Sequence, residues 1–284
     1  MIPASALQFA ERYTGPAAEV CRAPGTGHGG RSWRITGAHS VAYLKVCASS
    51  GGARREAEAN HRVDARLPVQ TPRVLARENR WLLLSECVGN PAATLPESAL
   101  PTIARSLAAL HMPLNPNIGE DWPPARSFAA RAGAARPAVT VCDTAIAETL
   151  FQQATSDFDD GHQPGRVFCH RDCGPWNWLH VRGDVVALID FEHARADWAV
   201  FDVLHLWEAG ALSTESGKSV FIRHYGSAPW TSSMWRPAQA LFVLQTLAWS
   251  ARHPSDERIL RRAQALTESW QREQVLRTSE QHFT

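Results

Sequence analysis

A chain of 284 residues, 44% hydrophobic and 20% charged, has the length and apolar content for one large or two modest folded domains, which excludes a disordered chain. Its formal net charge of +1 gives no reason to expect a nucleic-acid or membrane partner. No charged segment followed by an apolar run opens the chain, no apolar stretch approaches the roughly 20 residues that span a bilayer, and the six cysteines form no Cys-x-x-Cys pair. A reduced, cytoplasmic protein is expected.

The charge is unevenly spread. Residues 1–89 carry 12 basic and 7 acidic side chains, and residues 90–284 carry 17 and 21. An anionic ligand held by the first part and a neutral or cationic one held by the second would fit this split, as would ordinary solvated surfaces. Only Lys45 and Lys218 are lysines, so candidates for a functional lysine are few.

In chain order, Ile2–Tyr13 reads as a short opening helix. Gly25-Thr26-Gly27-His28-Gly29-Gly30 then spells G-x-G-x-x-G. A dinucleotide site needs a helix directly after this motif. Here strand Ser32–Thr36, turn Gly37–Ser40 and strand Val41–Cys47 follow instead. The glycines therefore belong to a hairpin whose amides can approach phosphate oxygens, with a plain flexible turn as the alternative. In Val41–Cys47 strand alternation sets Lys45 on one face with Tyr43 and Cys47, away from Leu44 and Val46. Such a lysine is either an edge charge or a buried cation with a partner, and the scarcity of lysines favours the second. Helix Arg54–Leu67 can supply that partner from Glu56. Spacing leaves Glu58 open as well.

Trp81–Val88 reads as a buried strand that stops at Gly89-Asn90-Pro91. Strands dominate before this point and helices after it, which sets a domain boundary between 1–89 and 90–284. Ser98–Met112 is an amphipathic helix with Leu100, Ile103, Ala104, Leu107 and Leu110 on one face, Ser98 as its cap and Pro101 in its first turn. Pro113–Pro124 reads as a loop, Ser127–Arg136 and Thr140–Thr155 as helices, and Ser156–Gly165 as a polar exposed stretch. Further helices are expected at Ala199–Gly210, where Asp202 lies among apolar residues, and at Ser216–Tyr225, Pro237–Arg252 and Asp256–Leu276. The chain has no internal repeats.

The most informative stretch is Cys169-His170-Arg171-Asp172-Cys173-Gly174-Pro175-Trp176-Asn177, followed by strand Val185–Ile189 and Asp190-Phe191-Glu192. It places Asp172, Asn177 and Asp190 on a loop and at the mouth of a strand. Such a set provides oxygen ligands for a hard cation and a base for a hydroxyl proton. A zinc site from Cys169, His170 and Cys173 with Asp172 fits no four-ligand spacing.

In order and approximate spacing, Gly25–Gly30, Lys45, Glu56, His170-Arg171-Asp172-x-x-x-x-Asn177 and Asp190-Phe191-Glu192 resemble the protein-kinase-like superfamily. The two C-terminal motifs are most similar to the aminoglycoside phosphotransferase and choline kinase branch, with antibiotic-modifying kinases closest. The resemblance spans about residues 20–210. It implies an α+β, bilobal protein-kinase-like fold, with an antiparallel-sheet N-lobe carrying one main helix and a mainly helical C-lobe. It also implies transfer of the γ-phosphoryl group of ATP or GTP to a hydroxyl of a small-molecule acceptor, foremost an antibiotic, by a monomer. A kinase of a metabolite alcohol (choline, homoserine or sugar) and a catalytically silent nucleotide-binding module are the other readings.

The resemblance assigns roles by position. Asp172 accepts or orients the acceptor proton, Asn177 and Asp190 hold Mg²⁺, and Lys45, steadied by Glu56, contacts the α- and β-phosphates. Gly25, Gly27 and Gly30 cover the phosphates, and Glu86–Val88 is the hinge that reads the base through Glu86 and Val88. His170 and Asp202 support the catalytic loop. The sequence also departs from serine/threonine protein kinases. Gly174 stands where those kinases usually carry Lys, Asp-Phe-Glu replaces Asp-Phe-Gly, and no Ala-Pro-Glu segment follows. Glu192 either adds a metal contact or is simply exposed. Trp178 reads as core, and Trp176 as core or as an aromatic wall for an acceptor ring.

Overall fold

The structure, a computed structural model, describes residues 2–23, 31–63, 65–111, 127–136, 142–156 and 165–281, without the side chains of Arg31, Ser232 and residues 275–281. Five strands, β1 (Ala17–Arg22), β2 (Arg31–Gly37), β3 (Val41–Val46), β4 (Val74–Glu78) and β5 (Trp81–Ser85), form an antiparallel sheet in the order β1-β2-β3-β5-β4. The two edge strands were not expected. Both are of mixed polarity and neither holds a buried residue, so pairing with a neighbour, and not apolar patterning, makes them strands.

Strand β3 is buried on both faces, as its alternation requires. Leu44 and Val46 pack with Trp33, Ile35 and Leu83 against Phe9 of helix α1 (Ala4–Thr14). On the opposite face Cys47 packs with Leu82 and Leu84 against Ala53 and Ala57 of helix α2 (Ser50–Val63). Helix α2 starts four residues before the expected Arg54. Ser49 Oγ accepts the Gly52 N–H at 3.0 Å, a side-chain cap that holds two glycines in the first turn.

Strand β5 ends at Ser85 and does not run to Val88. Gly89 follows at φ +113°, where a Cβ would lie 3.0 Å from the His180 carbonyl oxygen, so the turn out of this segment demands glycine. It leads into β6 (Asn90–Pro91). With β7 given to Val167–Cys169, the strands β8 (Trp178–Val181) and β9 (Asp184–Leu188) join β6 in a second antiparallel sheet of order β6-β8-β9. Gln70 bridges to β9 through its backbone, donating to Val186 and accepting from Leu188. A two-stranded pair of β7 with β10 (Arg195–Asp197) completes the strands.

The expected Ser98 cap is not formed. Glu97–Ala99 makes a 3₁₀ turn that runs straight into helix α3 (Leu100–Leu110), so the residue before the helix, Ala99, is already helical and no extended capping residue remains. Pro101 does lie in the first turn. Helices α4 (Phe128–Ala135) and α5 (Thr144–Thr155) are capped by Ser127 and Asp143. Helix α6 (Val200–Glu208) carries the fully buried Asp202. Helix α7 (Glu215–Tyr225) is capped by Thr214. Helix α8 (Ser232–Arg252) begins five residues before the expected Pro237, because Thr231 accepts the Met234 N–H and starts the helix upstream of the proline. Helix α9 (Glu257–Gln281) follows, with Asp256 accepting the Arg258 N–H at 3.0 Å. The expected loop Pro113–Pro124 lies outside the described residues, as does most of Ser156–Gly165.

The chain divides into two compact units. The first comprises Met1–Leu114, Val167–Ala196 and His205–Ser227, and the second Asn115–Arg166, Asp197–Leu204 and Ala228–Thr284. The strand-rich segment before residue 89 therefore shares a unit with the Cys169–Asn177 stretch. In that unit α3 packs on α7, and His111 Nδ1 lies 2.9 Å from the Tyr225 hydroxyl. In the second unit α8 packs against α4, α5 and α9. Arg131 donates to Asp197 at 3.1 Å with its guanidinium 4.0 Å above the Phe201 ring. No helix among the described residues is long and apolar enough to cross a membrane.

Candidate active site

Of the described residues to which the sequence assigned a role, all but Asp202 belong to the first unit; Asp202 falls in the second. Lys45 is 6% exposed on the α2 face of β3. The helical phase of α2 that buries Ala53 and Ala57 also buries Glu56, which is 1% exposed, and turns Glu58 outward into a 2.9 Å pair with Arg54. Lys45 Nζ lies 3.0 Å from Glu56, 2.6 Å from Asp190 Oδ1 and 2.9 Å from Glu192 Oε2. Three carboxylates thus surround one ammonium. Burial opposes the Lys45 charge, but Asp190, Glu56 and Glu192 outweigh it and hold the lysine well above its ordinary value. Burial pushes Glu56 up to about 7 against the pull of Lys45. Burial would raise Asp190 too, and there the ammonium wins, holding it below the usual carboxylate range.

The Cys169–Asn177 stretch is tied together by His170, which is fully buried. Its Nδ1 accepts the Asp172 backbone N–H at 3.2 Å, so its proton sits on Nε2, 2.9 Å from the Ile189 carbonyl oxygen. Both ring nitrogens thus face backbone groups. Two non-glycine residues with left-handed backbone flank these contacts, Arg171 at φ +70° and Asp190 at φ +69°. Such conformations cost about 1–3 kcal/mol and persist only where neighbours over-determine them. His170 fixes the carbonyl just before Asp190, and His205 Nε2 lies 3.2 Å from the Arg171 carbonyl.

Asn177 Nδ2 donates to the Asp172 backbone oxygen at 2.7 Å and to Asp172 Oδ2 at 2.9 Å. The Ile189 N–H donates to the Asn177 carbonyl at 3.0 Å, which sets Asn177 beside the residue preceding Asp190. Trp176 Nε1 donates to both carboxylate oxygens of Asp172 at 3.2 Å, a contact the sequence did not reveal. Trp178 is fully buried with its indole donating to the Cys173 carbonyl, a core role as expected. Cys169 and Cys173 are fully buried.

At the expected hinge, Glu86 accepts from Arg34 Nε at 2.7 Å, and the Val88 N–H points to Gln70 Oε1 at 3.4 Å. The Arg34 partnership was also missed. Gly25, Gly27 and Gly30 lie outside the described residues, between the antiparallel neighbours β1 and β2. The structure thus joins Lys45, Glu56, Asp190 and Glu192 in one cluster and Asp172, Trp176 and Asn177 in another. His170 and Ile189 link the two clusters.

Solved structures with this arrangement of sheet and helices are similar over nearly the whole chain. The macrolide 2'-phosphotransferase MphH of Brachybacterium faecium matches at 18% identity and TM-score 0.66, covering 93% of this chain and 96% of its own. A GDP and kanamycin complex of APH(2")-IIIa matches at 16% identity and TM-score 0.71, covering 95% and 98%. The choline kinase of Cryptosporidium parvum Iowa II matches at 10% identity and TM-score 0.71, covering 96% of each chain. At these identities the likeness establishes the protein-kinase-like fold. Comparison with the curated proteins gave no match. The profile of the Phosphotransferase enzyme family, APH, matches residues 20–241, which include both clusters. The chain belongs to this family and is a small-molecule phosphotransferase of protein-kinase-like fold.

Proposed function

We propose that this enzyme transfers the γ-phosphoryl group of ATP or GTP to a hydroxyl of an antibiotic, giving resistance or self-protection. The observation that carries the reading is the pairing of two clusters in one unit. One is built around an ammonium for the phosphates, and the other around a carboxylate held ready for a hydroxyl. Support for the acceptor class comes from the macrolide and kanamycin named for two of the similar structures. The acidic excess of residues 90–284 adds to it.

Lys45 contacts the α- and β-phosphates, with Glu56 fixing its direction from the buried side. Gly25, Gly27 and Gly30 cover the phosphates, and the backbone of Glu86 and Val88 reads the base. The donor set suits a divalent cation. Three carboxylates around one ammonium leave an excess of negative charge, and the oxygens of Glu56, Asp190 and Glu192 lie within 4.8 Å of one another. Asn177, whose amide nitrogen is engaged by Asp172, and Asp190 are the residues that would hold Mg²⁺, which when bound offsets triphosphate charge.

Asp172 accepts the hydroxyl proton of the acceptor as the acceptor oxygen bonds to the γ-phosphorus. The bond from that phosphorus to the β–γ bridging oxygen breaks, and ADP or GDP leaves. The protein contributes no covalent intermediate. Its work is placement of charge and of the hydroxyl. A catalytically silent module would be expected to lack Asp172, Asn177 or Asp190, and all are present. A cytoplasmic monomer drawing on cellular nucleotide completes the proposal.

The test is nucleotide turnover by purified protein, with ATP or GTP, with Mg²⁺ or with chelator. The acceptor panel spans aminoglycosides, macrolides, peptide and nucleoside antibiotics, choline and homoserine. The proposal expects Mg²⁺-dependent ADP or GDP release with at least one antibiotic. Release only with choline or homoserine would move the acceptor to a metabolite alcohol. Release with none would leave the silent module.

A further inference from the structure

We infer that Trp176 is the residue that aims the carboxylate of Asp172, and that Gly174 is present to admit its ring. This rests on the reading of Asp172 as the group that takes the acceptor proton. An aspartate carboxylate rotates broadly about its last side-chain bond. One tether from Asn177 Nδ2 to Oδ2, at 2.9 Å, leaves that rotation free. The Trp176 indole N–H, 3.2 Å from both oxygens, supplies a second donor on the fork of the carboxylate and fixes its plane. Oδ2 then takes two donors and Oδ1 only the shared one. Oδ1 is the oxygen left to receive the acceptor hydroxyl.

The indole is itself braced. Its ring stands edge-on to His205, with centroids 6.3 Å apart and planes at 88°, and His205 also holds the Arg171 carbonyl. Gly174 gives an independent indication. Its backbone, at φ −68° and ψ 167°, is one that any residue adopts, so the turn does not require glycine. A Cβ there would nevertheless lie 2.2–2.4 Å from three atoms of the Trp176 ring. The ring is the nearest obstacle to a side chain there, and a larger residue must push the indole away from Asp172.

Two variants separate the N–H from the ring. Trp176→Phe keeps an aromatic ring and removes the donor, and Gly174→Ala keeps the donor and displaces the ring. Both should lower kcat about tenfold with KM for nucleotide and acceptor within about twofold, since misplacing a reacting group slows the chemical step without weakening binding. A rise in acceptor KM with kcat unchanged would make Trp176 an acceptor wall and overturn the inference. So would wild-type kinetics in Trp176→Phe. A readout free of turnover is the indole N–H resonance of Trp176, identified by its loss in Trp176→Phe. It should move upfield in Asp172→Asn and in Gly174→Ala of the folded protein, and a resonance unmoved by Asp172→Asn would refute the contact. If wild-type protein phosphorylates no acceptor, the proposed function fails, while the resonance still decides whether Trp176 holds Asp172.

Discussion

Lys45 Nζ stands closer to Asp190 Oδ1, at 2.6 Å, than to Glu56, at 3.0 Å, and the two carboxylates differ in exposure, Asp190 at 34% and Glu56 at 1%. Glu56 is the permanent partner, sealed between β3 and α2. Asp190, with Glu192, is the partly open one, and under the proposed function it is the side on which nucleotide and cation would arrive. The lysine thereby ties the sheet to the segment that follows β9.

Lys45→Met leaves Glu56 buried without its cation. Removing one partner of such a pair should cost roughly 3 kcal/mol in urea unfolding. Glu56→Gln should cost less, because Asp190 and Glu192 still surround the ammonium. The double variant should recover part of the Lys45→Met loss, and strict additivity would show that the two side chains do not interact.

Glu56 and Glu58 should separate cleanly in activity. Glu56→Gln frees Lys45 to swing and should lower kcat/KM at least about tenfold. Glu58→Gln breaks an exposed pair with Arg54, for which about 0.5 kcal/mol or less is at stake, and should leave turnover unchanged. Equal effects would return the choice between them to open ground.

The pairing of Lys45 shows what was legible in the sequence. Strand alternation placed the lysine on the correct face, and the rarity of lysine favoured a buried cation with a partner, which is what the structure holds. Choosing between Glu56 and Glu58 needed the helix phase, which depends on where α2 meets the sheet. Strands β1 and β4 escaped notice because edge strands of mixed polarity carry no apolar period. The Ser98 cap failed because a 3₁₀ turn occupied its place, which sequence preference does not register. The contact from Trp176 to Asp172 depends on ring orientation within a tight turn. Its one trace in the sequence is Gly174.

His170 should be costly to replace. It is fully buried and serves both the Asp172 amide and the Ile189 carbonyl. His170→Ala leaves both without a partner and should destabilise by about 2–4 kcal/mol, with loss of turnover. His170→Asn, which can keep one of the two bonds, should fall between. Thermal unfolding of the two variants checks this, and a wild-type midpoint for His170→Ala would deny the role.

Thiol reactivity should follow burial. Burial, then the Glu56 charge, pushes the Cys47 thiol up to about 12, and burial pushes Cys87 up to about 11. Their thiolates are therefore scarce at pH 8, and reactivity rises only as pH approaches those values. With Cys169 and Cys173 fully buried and Cys21 exposed, a thiol reagent should label Cys21 first in the native protein. All six cysteines should react once it is unfolded. Rapid native labelling of Cys47 would contradict the sealed Lys45 face.

The division of labour between the two clusters is tested most directly by Asp172→Asn, compared with wild type for nucleotide affinity by calorimetry and for acceptor-dependent transfer. If Asp172 serves the acceptor hydroxyl and Lys45 serves the phosphates, nucleotide affinity stays within about twofold while transfer falls at least about a hundredfold. Transfer at the wild-type rate would contradict the account.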